Sequence, residues 1–127
     1  ATFIGRSHAT HVKHMNEIFE RAVNHKGFSV VEVLSECTMF YPGAFDSAIP
    51  RKGGEFDLVD EEQHDLTSIN EAFKLAQLEF PGKFGVFYQD ERPSKNELEQ
   101  NWINDVQSRT GDLSPQDLMR QNFAAMQ

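Results

Sequence analysis

The stretch Phe28-Ser29-Val30-Val31-Glu32-Val33-Leu34 decides how the chain is read. Its β-branched residues fit a pleated, half-buried surface, so it is a strand. Working upstream, Val12, Met15, Phe19, Ala22 and Val23 recur at three- and four-residue steps, which puts them on one face of a helix. Thr10 is placed to cap that helix, and Gly27, following His25-Lys26, is placed to stop it. Before the helix, Thr2-Phe3-Ile4 reads as a short strand ended by Gly5. Strand, helix and strand within about 35 residues form a βαβ unit, whose strands lie parallel with a right-handed crossover.

Two parallel strands and one helix do not cover both faces of a sheet, and parallel sheets are normally buried on both. The first third therefore reads as the end of a larger α/β domain. Its strands are expected to leave an apolar edge or face uncovered, which favours association into an oligomer. Residues 38–65 form a long irregular stretch with Pro42-Gly43, Pro50, Lys52-Gly53-Gly54 and Asp60-Glu61-Glu62. A loop of this length is usually functional or lies across a partner surface. Ser68-Ile69-Asn70-Glu71 is a capping box opening a helix with Ile69, Ala72, Phe73 and Ala76 on one face, ended by Pro81-Gly82. Phe84-Gly85-Val86-Phe87-Tyr88 is a third strand. A second capping box, Ser94-Lys95-Asn96-Glu97, leads a helix through Leu98, Trp102 and Val106 to about Gly111. Ser114-Pro115 opens a last helix carrying Leu118, Met119, Phe123 and Met126, with proline at the tolerated first position. The segments expected are thus 1–37, a βαβ unit; 38–67, a connecting loop; and 68–127, a mostly helical C-terminal extension.

The composition is close to average for a soluble globular protein, 39% hydrophobic and 25% charged with 11 Phe among 127 residues, and the strand–helix–strand pattern makes the fold class α/β. Lys+Arg 12 against Asp+Glu 20 gives a net charge of −8, which repels nucleic-acid phosphates and anionic lipid. No nucleic acid and no membrane are expected as partners; a basic electron carrier or subunit face suits this surface better. No apolar run approaches the roughly 20 residues of a membrane helix. Ala1 stands directly before a strand-like segment, with no basic region or cleavage site of a signal peptide, and reads as the start of a piece of a longer chain. The single cysteine excludes an internal disulfide and is compatible with the cytoplasm.

That cysteine, Cys37, follows the second strand at its carboxyl end, where open α/β sheets place ligands. It can be a buried small hydrophobe, a nucleophile or a metal ligand, and on position alone the buried reading comes first. Neither His25 nor His64 stands at a spacing that would make it the base of a nucleophile. His8, His11 and His14 recur at every third position, and His11 with His14 can chelate zinc from one helix face, but a solvated helix entry is the reading adopted. Arg51-Lys52-Gly53-Gly54 lacks the pattern of a phosphate loop and reads as a solvated turn. The run from Asp60 to Asp65 lacks the ligand alternation of a calcium loop and reads as surface charge. Phe84, Phe87 and Tyr88 read as core.

Three stretches together resemble the beta subunit of 2-oxoacid:ferredoxin oxidoreductases, which binds thiamine diphosphate. They are Thr2-Phe3-Ile4-Gly5-Arg6 with the helix after it, His25 through Cys37, and Gly85-Val86-Phe87-Tyr88-Gln89-Asp90-Glu91-Arg92-Pro93-Ser94. In order and spacing they resemble the end of the thiamine-diphosphate module plus the family's C-terminal extension, up to about Leu98. The family usually reads Leu-Ser-Pro-Cys where this chain has Leu34-Ser35-Glu36-Cys37. That glutamate, with Phe40-Tyr41-Pro42-Gly43-Ala44-Phe45-Asp46 after it, resembles the 2-oxoglutarate branch.

The resemblance implies a coenzyme A-dependent oxidative decarboxylation. The thiazolium carbanion of thiamine diphosphate attacks the 2-oxo carbon and carbon dioxide leaves. Electrons then pass singly through a four-iron, four-sulfur (4Fe-4S) iron–sulfur cluster to ferredoxin, and coenzyme A takes the acyl group. It implies that Cys37 is the last ligand of that cluster. The other three cysteines and the Gly-Asp-Gly motif for diphosphate and magnesium are not in this sequence. The implied partners are the alpha subunit, the remainder of the beta subunit and ferredoxin. No catalytic residue transfers to this chain. A non-catalytic docking module derived from that subunit is the alternative; a small metal-binding protein using the histidines ranks below it. The chain by itself is expected to be inactive and to bind thiamine diphosphate negligibly. Calorimetric titration with the cofactor and magnesium checks this, and micromolar binding contradicts it.

Overall fold

The computed structural model describes residues 1–111 and 113–125 and divides into two compact units, Ala1–Arg92 and Pro93–Gln127. The first unit is built on a three-stranded sheet of order β2-β1-β3, where β1 is Phe3–His8, β2 is Ser29–Leu34 and β3 is Gly85–Gln89. Strands β1 and β2 are parallel, with Phe3 beside Ser29 and His8 beside Leu34, as the βαβ reading requires. Strand β3 runs antiparallel on the other side of β1, and the register slips between Ile4 and Gly5 so that Phe87 bulges out of the ladder. A mixed sheet results, with β1 buried at its centre.

The alternation of β1 sorts the core. On one face Phe3 packs with Ile18 of helix α1 (Val12–Asn24) and with Val86. On the other, Ile4 joins Tyr88, Phe87, Val59 and Ala72, the last from helix α2 (Ile69–Ala76). A helix thus covers each face of β1 and β3. The edge strand β2 is not covered in the same way. Val30 is 41% exposed and Phe28, just before it, 69% exposed, which is the uncovered apolar edge the sequence implies.

Several local readings are corrected. Gly5 does not end β1 but sits within it, because a Cβ there would lie 2.8 Å from Ile18 Cγ2 and 3.3 Å from Phe3 Cε1. The absent side chain lets α1 lie close against the sheet. Thr10 does not cap α1: His11 is the N-cap, without a side-chain cap bond, and the Thr10 hydroxyl instead hydrogen-bonds His8 Nδ1 at 2.8 Å. The helix ends at Asn24 rather than at Gly27, since His25 turns extended and bonds Thr2 Oγ1 at 2.8 Å. The buried position of α1 is Ile18, with Met15 and Ala22 half-buried, while Val12, Phe19 and Val23 form a stripe facing solvent. Helix α2 likewise buries Ala72 and leaves Ile69 and Phe73 exposed, and it stops at Ala76, before Pro81-Gly82. Ser68 accepts from Glu71 N as half of a capping box, but the Glu71 carboxylate takes Lys74 rather than returning to the cap.

The loop between β2 and α2 contains two short 3-10 turns, Asp46–Ala48 and Pro50–Lys52, and then runs beside the start of β3. There Val59 N–H donates to Phe84 O and Phe84 N–H to Asp57 O, each at 2.8 Å. Arg6 ties the same region to β2. Its Nε donates to Glu32 at 2.6 Å, its NH1 to Pro81 O at 3.1 Å, and its guanidinium lies 4.9 Å from the Phe87 ring centroid.

In the second unit, helix α3 (Lys95–Thr110) opens on the complete capping box of Ser94 and Glu97 and ends at Gly111. Helix α4 (Pro115–Ala124) is capped by Ser114, with Pro115 at its first position. Both follow the sequence reading; Met126 lies outside the described residues. Leu98, Trp102, Met119 and Phe123 are exposed. Among the described residues no helix is long and apolar enough to cross a membrane.

The Gly5 contact yields a test of this packing. Gly5→Ala should cost about 1–3 kcal/mol of unfolding free energy, because the added methyl meets a buried β-branched side chain. Urea denaturation of the two proteins measures it.

Candidate functional site

The carboxyl ends of β1 and β2 bring together the groups with chemical potential. Strand β1 ends at His8, and β2 ends at Leu34, followed by Ser35, Glu36 and Cys37. Cys37 is a free thiol and is exposed, which corrects the reading of a buried small hydrophobe. The polypeptide leaves the sheet at this point, so no layer covers the side chain. Cys37 O accepts from Tyr41 N at 2.9 Å, making a tight turn that carries the thiol at its start.

A ring of polar contacts closes this turn. One Glu36 carboxylate oxygen accepts from Gly43 N–H and the other lies 3.4 Å from Lys52 Nζ. Lys52 also donates to Asp46 Oδ1 at 2.6 Å, and Asp46 N–H returns to Gly43 O at 3.1 Å. Hydrogen bonding to Asp46, followed by the charges of Asp46 and Glu36, raises the Lys52 pKa. Gly43 has φ +77, a conformation that strongly favours glycine, and a Cβ there would stand 3.3 Å from Asp46 Oδ2. A pocket of about 410 Å³ lies alongside, lined by Thr10, His11, Glu36, Ile49, Arg51 and Lys52 among others.

The three histidines are not a solvated helix entry. His8 is 1% exposed, with its ring centroid 5.2 Å from that of Phe45. His11 stacks on Phe56 at 3.6 Å, and His14 shares a 2.7 Å hydrogen bond with Ser7 Oγ. The reason for this correction is a set of distant aromatics: Phe56, stacked on Phe84, takes His11 and His14, while Phe45 and Phe84 take His8. His8 Nδ1 accepts from Thr10 N–H at 3.2 Å, and its buried Nε2 has no hydrogen-bond partner. Among the described residues no group of three or more His, Cys, Asp or Glu is arranged to hold a metal ion.

The remaining candidates take structural places. His25 engages Thr2, and His64 Nε2 shares a 2.8 Å hydrogen bond with Phe87 O. Arg51 to Gly53 is an exposed turn, and Asp60 to Glu62 is exposed, with Asp60 capping Glu62 N–H. Phe84, Phe87 and Tyr88 are buried, as read. The end of the third quoted stretch has its own logic. Arg92 Nε donates to Asp90 Oδ2 at 2.6 Å and Arg92 NH2 to the Tyr88 hydroxyl at 2.8 Å, while Tyr88 OH donates to the same Asp90 oxygen at 3.2 Å. The Arg92 bond, ahead of the Tyr88 one, holds the Asp90 pKa below its usual value. The sequence reading missed the contacts that Glu36 makes with Gly43 and Lys52 beside Cys37. Their signal was present: an acid before the cysteine, a Pro-Gly turn after it and a lysine further on.

No protein-family model matches the chain. A 2-oxoacid:ferredoxin oxidoreductase subunit beta from Sulfolobus sp. is 29% identical over 98 residues, 71% of this chain and 32% of that protein. The subunit beta from Saccharolobus solfataricus is 41% identical over 39 residues, 31% of this chain and 13% of its own length. The chain is similar to part of the beta subunit of 2-oxoacid:ferredoxin oxidoreductases. A further relative, 2-oxoglutarate oxidoreductase subunit KorB of Mycobacterium tuberculosis, is 36% identical over 55 residues, 43% of this chain and 14% of KorB. Among solved structures, 2-oxoglutarate:ferredoxin oxidoreductase from Magnetococcus marinus, with 2-oxoglutarate, coenzyme A and succinyl-CoA bound, superposes with a TM-score of 0.66 at 21% identity. That match covers 99% of this chain and 40% of the other, so the α/β fold is that of a segment of an oxidoreductase chain. The chain spans between 13% and 32% of the length of these three curated relatives.

The buried imidazoles set a pH dependence. Burial, and then the neighbouring His11 charge, lower the His8 pKa, against a smaller opposing pull from Glu36. Burial likewise lowers that of His14. An unfolded histidine titrates near 6.5, so just below that pH the unfolded chain binds more protons than the folded one. Stability present above 6.5 is therefore lost as the pH falls toward the folded-state pKa values. The melting temperature should drop between pH 7.5 and 5.5, and by less in His8→Leu; thermal scans of both proteins across that range check this.

Proposed function

We infer that this chain forms part of the thiamine-diphosphate-binding beta subunit of a 2-oxoacid:ferredoxin oxidoreductase. The reaction is coenzyme A-dependent oxidative decarboxylation of a 2-oxoacid, with electrons leaving through an iron–sulfur cluster to ferredoxin. Residues 1–37 correspond to the last βαβ unit of the cofactor module, 38–67 to its connecting loop, and 68–127 to a C-terminal extension. The observation that carries this reading is the exposed free thiol of Cys37 at the carboxyl end of a parallel strand, in a chain similar to such subunits.

The residues present fit one corner of a cluster. The group needs thiolates, Cys37 is free and exposed, and the sequence has no second cysteine. This chain therefore supplies one ligand, and the others come from elsewhere in the assembly. When bound, an iron–sulfur cluster passes single electrons at a potential set by its surroundings. Cys37 contributes the sulfur and the turn that presents it. Thiamine diphosphate and magnesium find no Gly-Asp-Gly motif here, so no step of theirs is assigned to this chain.

A 2-oxoglutarate substrate is favoured by two observations. One is the name of the KorB relative; the other is the ligands bound in the Magnetococcus marinus structure. The exposed stripe Val12, Phe19, Val23 and the open edge of β2 suit burial against the rest of the beta subunit or the alpha subunit. A cytoplasmic location suits an enzyme that hands electrons to ferredoxin and relies on a reduced thiol.

In the complete subunit, Cys37→Ala should lower cluster iron and visible absorption. In the chain alone, where that side chain is exposed, the same substitution should change folding stability by no more than about 0.5 kcal/mol. Iron and sulfide analysis beside a denaturation curve checks both. Full iron occupancy in that variant would end the assignment.

A further inference from the structure

We propose that Glu36 is a positioning residue for Cys37, acting through its hydrogen bond from Gly43 N–H. The proposal rests on the reading of Cys37 as a cluster ligand and adds the device that holds it. Cys37 stands between Glu36 and the Tyr41 turn, in a segment whose exposed Met39, Phe40 and Tyr41 give it no hydrophobic anchor. The apolar anchors of this loop, Phe45, Ala48 and Ile49, come later in the chain, and beside Cys37 polar contacts form a closed circuit. Gly43 N–H donates to Glu36, Glu36 faces Lys52, Lys52 donates to Asp46, and Asp46 N–H donates back to Gly43 O.

Each member of the circuit is constrained by another. Glu36 is half-buried, so its carboxylate is oriented rather than free in solvent. Lys52 lies on the Pro50–Lys52 turn, whose proline presets the backbone. Gly43 holds a left-handed conformation beside the Asp46 carboxylate. The adjacent Cys37–Tyr41 bridge then sets the backbone direction at the thiol. A carboxylate restrains the backbone before Cys37 by bridging to a glycine amide. A ligand thiolate that meets its metal in a preset direction loses less freedom on binding, which is why residues behind metal ligands matter to metal retention.

Two measurements test this, one on the chain alone and one on the complete subunit. In the chain, amide hydrogen exchange at Gly43 and Tyr41 should be slow in the native protein. It should stay slow in Glu36→Gln, whose amide oxygen still accepts from Gly43, and be markedly faster in Glu36→Ala. Circular dichroism checks that the variants are folded. Should Glu36→Ala unfold, Glu36→Pro replaces it, with fast exchange expected at Gly43. Equal exchange in the native protein and the carboxylate-free variant overturns the proposal. In the complete subunit, Glu36→Ala should lose iron or broaden the electron paramagnetic resonance spectrum of the reduced cluster, and Glu36→Gln should restore both. If Glu36→Gln behaves like Glu36→Ala, charge rather than the hydrogen bond is at work and the proposal fails. If Cys37→Ala loses its iron while Glu36→Ala keeps native iron and spectrum, the proposal fails and the ligand reading stands. If Cys37→Ala keeps its iron, the ligand reading fails, and the exchange result alone decides whether Glu36 shapes the turn.

Discussion

Strand β1 has a neighbour on each side, and its strict alternation governs both layers around it. Phe3, Gly5 and Ser7 look toward α1, and Ile4, Arg6 and His8 look the other way. The close approach at Gly5 fixes how deep Ile18 sits, and through Ile18 the depth of the whole helix. The opposite row is less apolar and does different work. Ile4 feeds a small core with Ala72 and Tyr88, Arg6 ties together three separate segments, and His8 ends the strand under an aromatic roof. A one-residue slip in this strand would exchange the two rows and abolish every one of these contacts.

The contents of the carboxyl end of the sheet follow from this. Two parallel strands ending side by side release two loops in the same direction, one beginning Ala9-Thr10-His11 and the other Ser35-Glu36-Cys37. The first is consumed by packing, since its imidazoles stack and bond within the aromatic cluster. The second stays open at Cys37, where a chain of charged and backbone groups restrains it, and is packed only further along, at Phe45, Ala48 and Ile49. The division places the exposed thiol on the loop that is shaped by polar contacts.

Much of this organisation was legible in the sequence because it rests on local rules. The β-branched run of β2, the capping residues Ser94 and Ser114 and the proline at the start of α4 all act within a few positions of themselves. The parallel pairing of β1 and β2 followed from the helix between them. What was not legible depended on residues far apart. Periodicity put Val12, Met15, Phe19, Ala22 and Val23 on one apolar face of α1, and the burial of Ile18 in place of Phe19 follows a glycine on a neighbouring strand. The histidines looked solvent-facing because the aromatics that take them in, Phe45, Phe56 and Phe84, are distant in the chain. Cys37 was found through resemblance and by its place after a strand. Its exposure, and the dependence of its turn on Glu36, required Gly43, Asp46 and Lys52 to be seen together.

The stripe of Val12, Phe19 and Val23, with Val23 83% exposed, alters what folding stability means for this chain. Apolar surface left in water contributes nothing until a partner removes it, and a partner that binds only the folded form stabilises it by mass action. Wherever a partner covers the stripe, the free energy that keeps α1 in place becomes partly a function of concentration. A substitution on that stripe would leave the isolated chain almost unchanged and still weaken an assembly that covers it. The cost would surface as a shift in the association equilibrium, where a thermal scan of the single chain has no sensitivity.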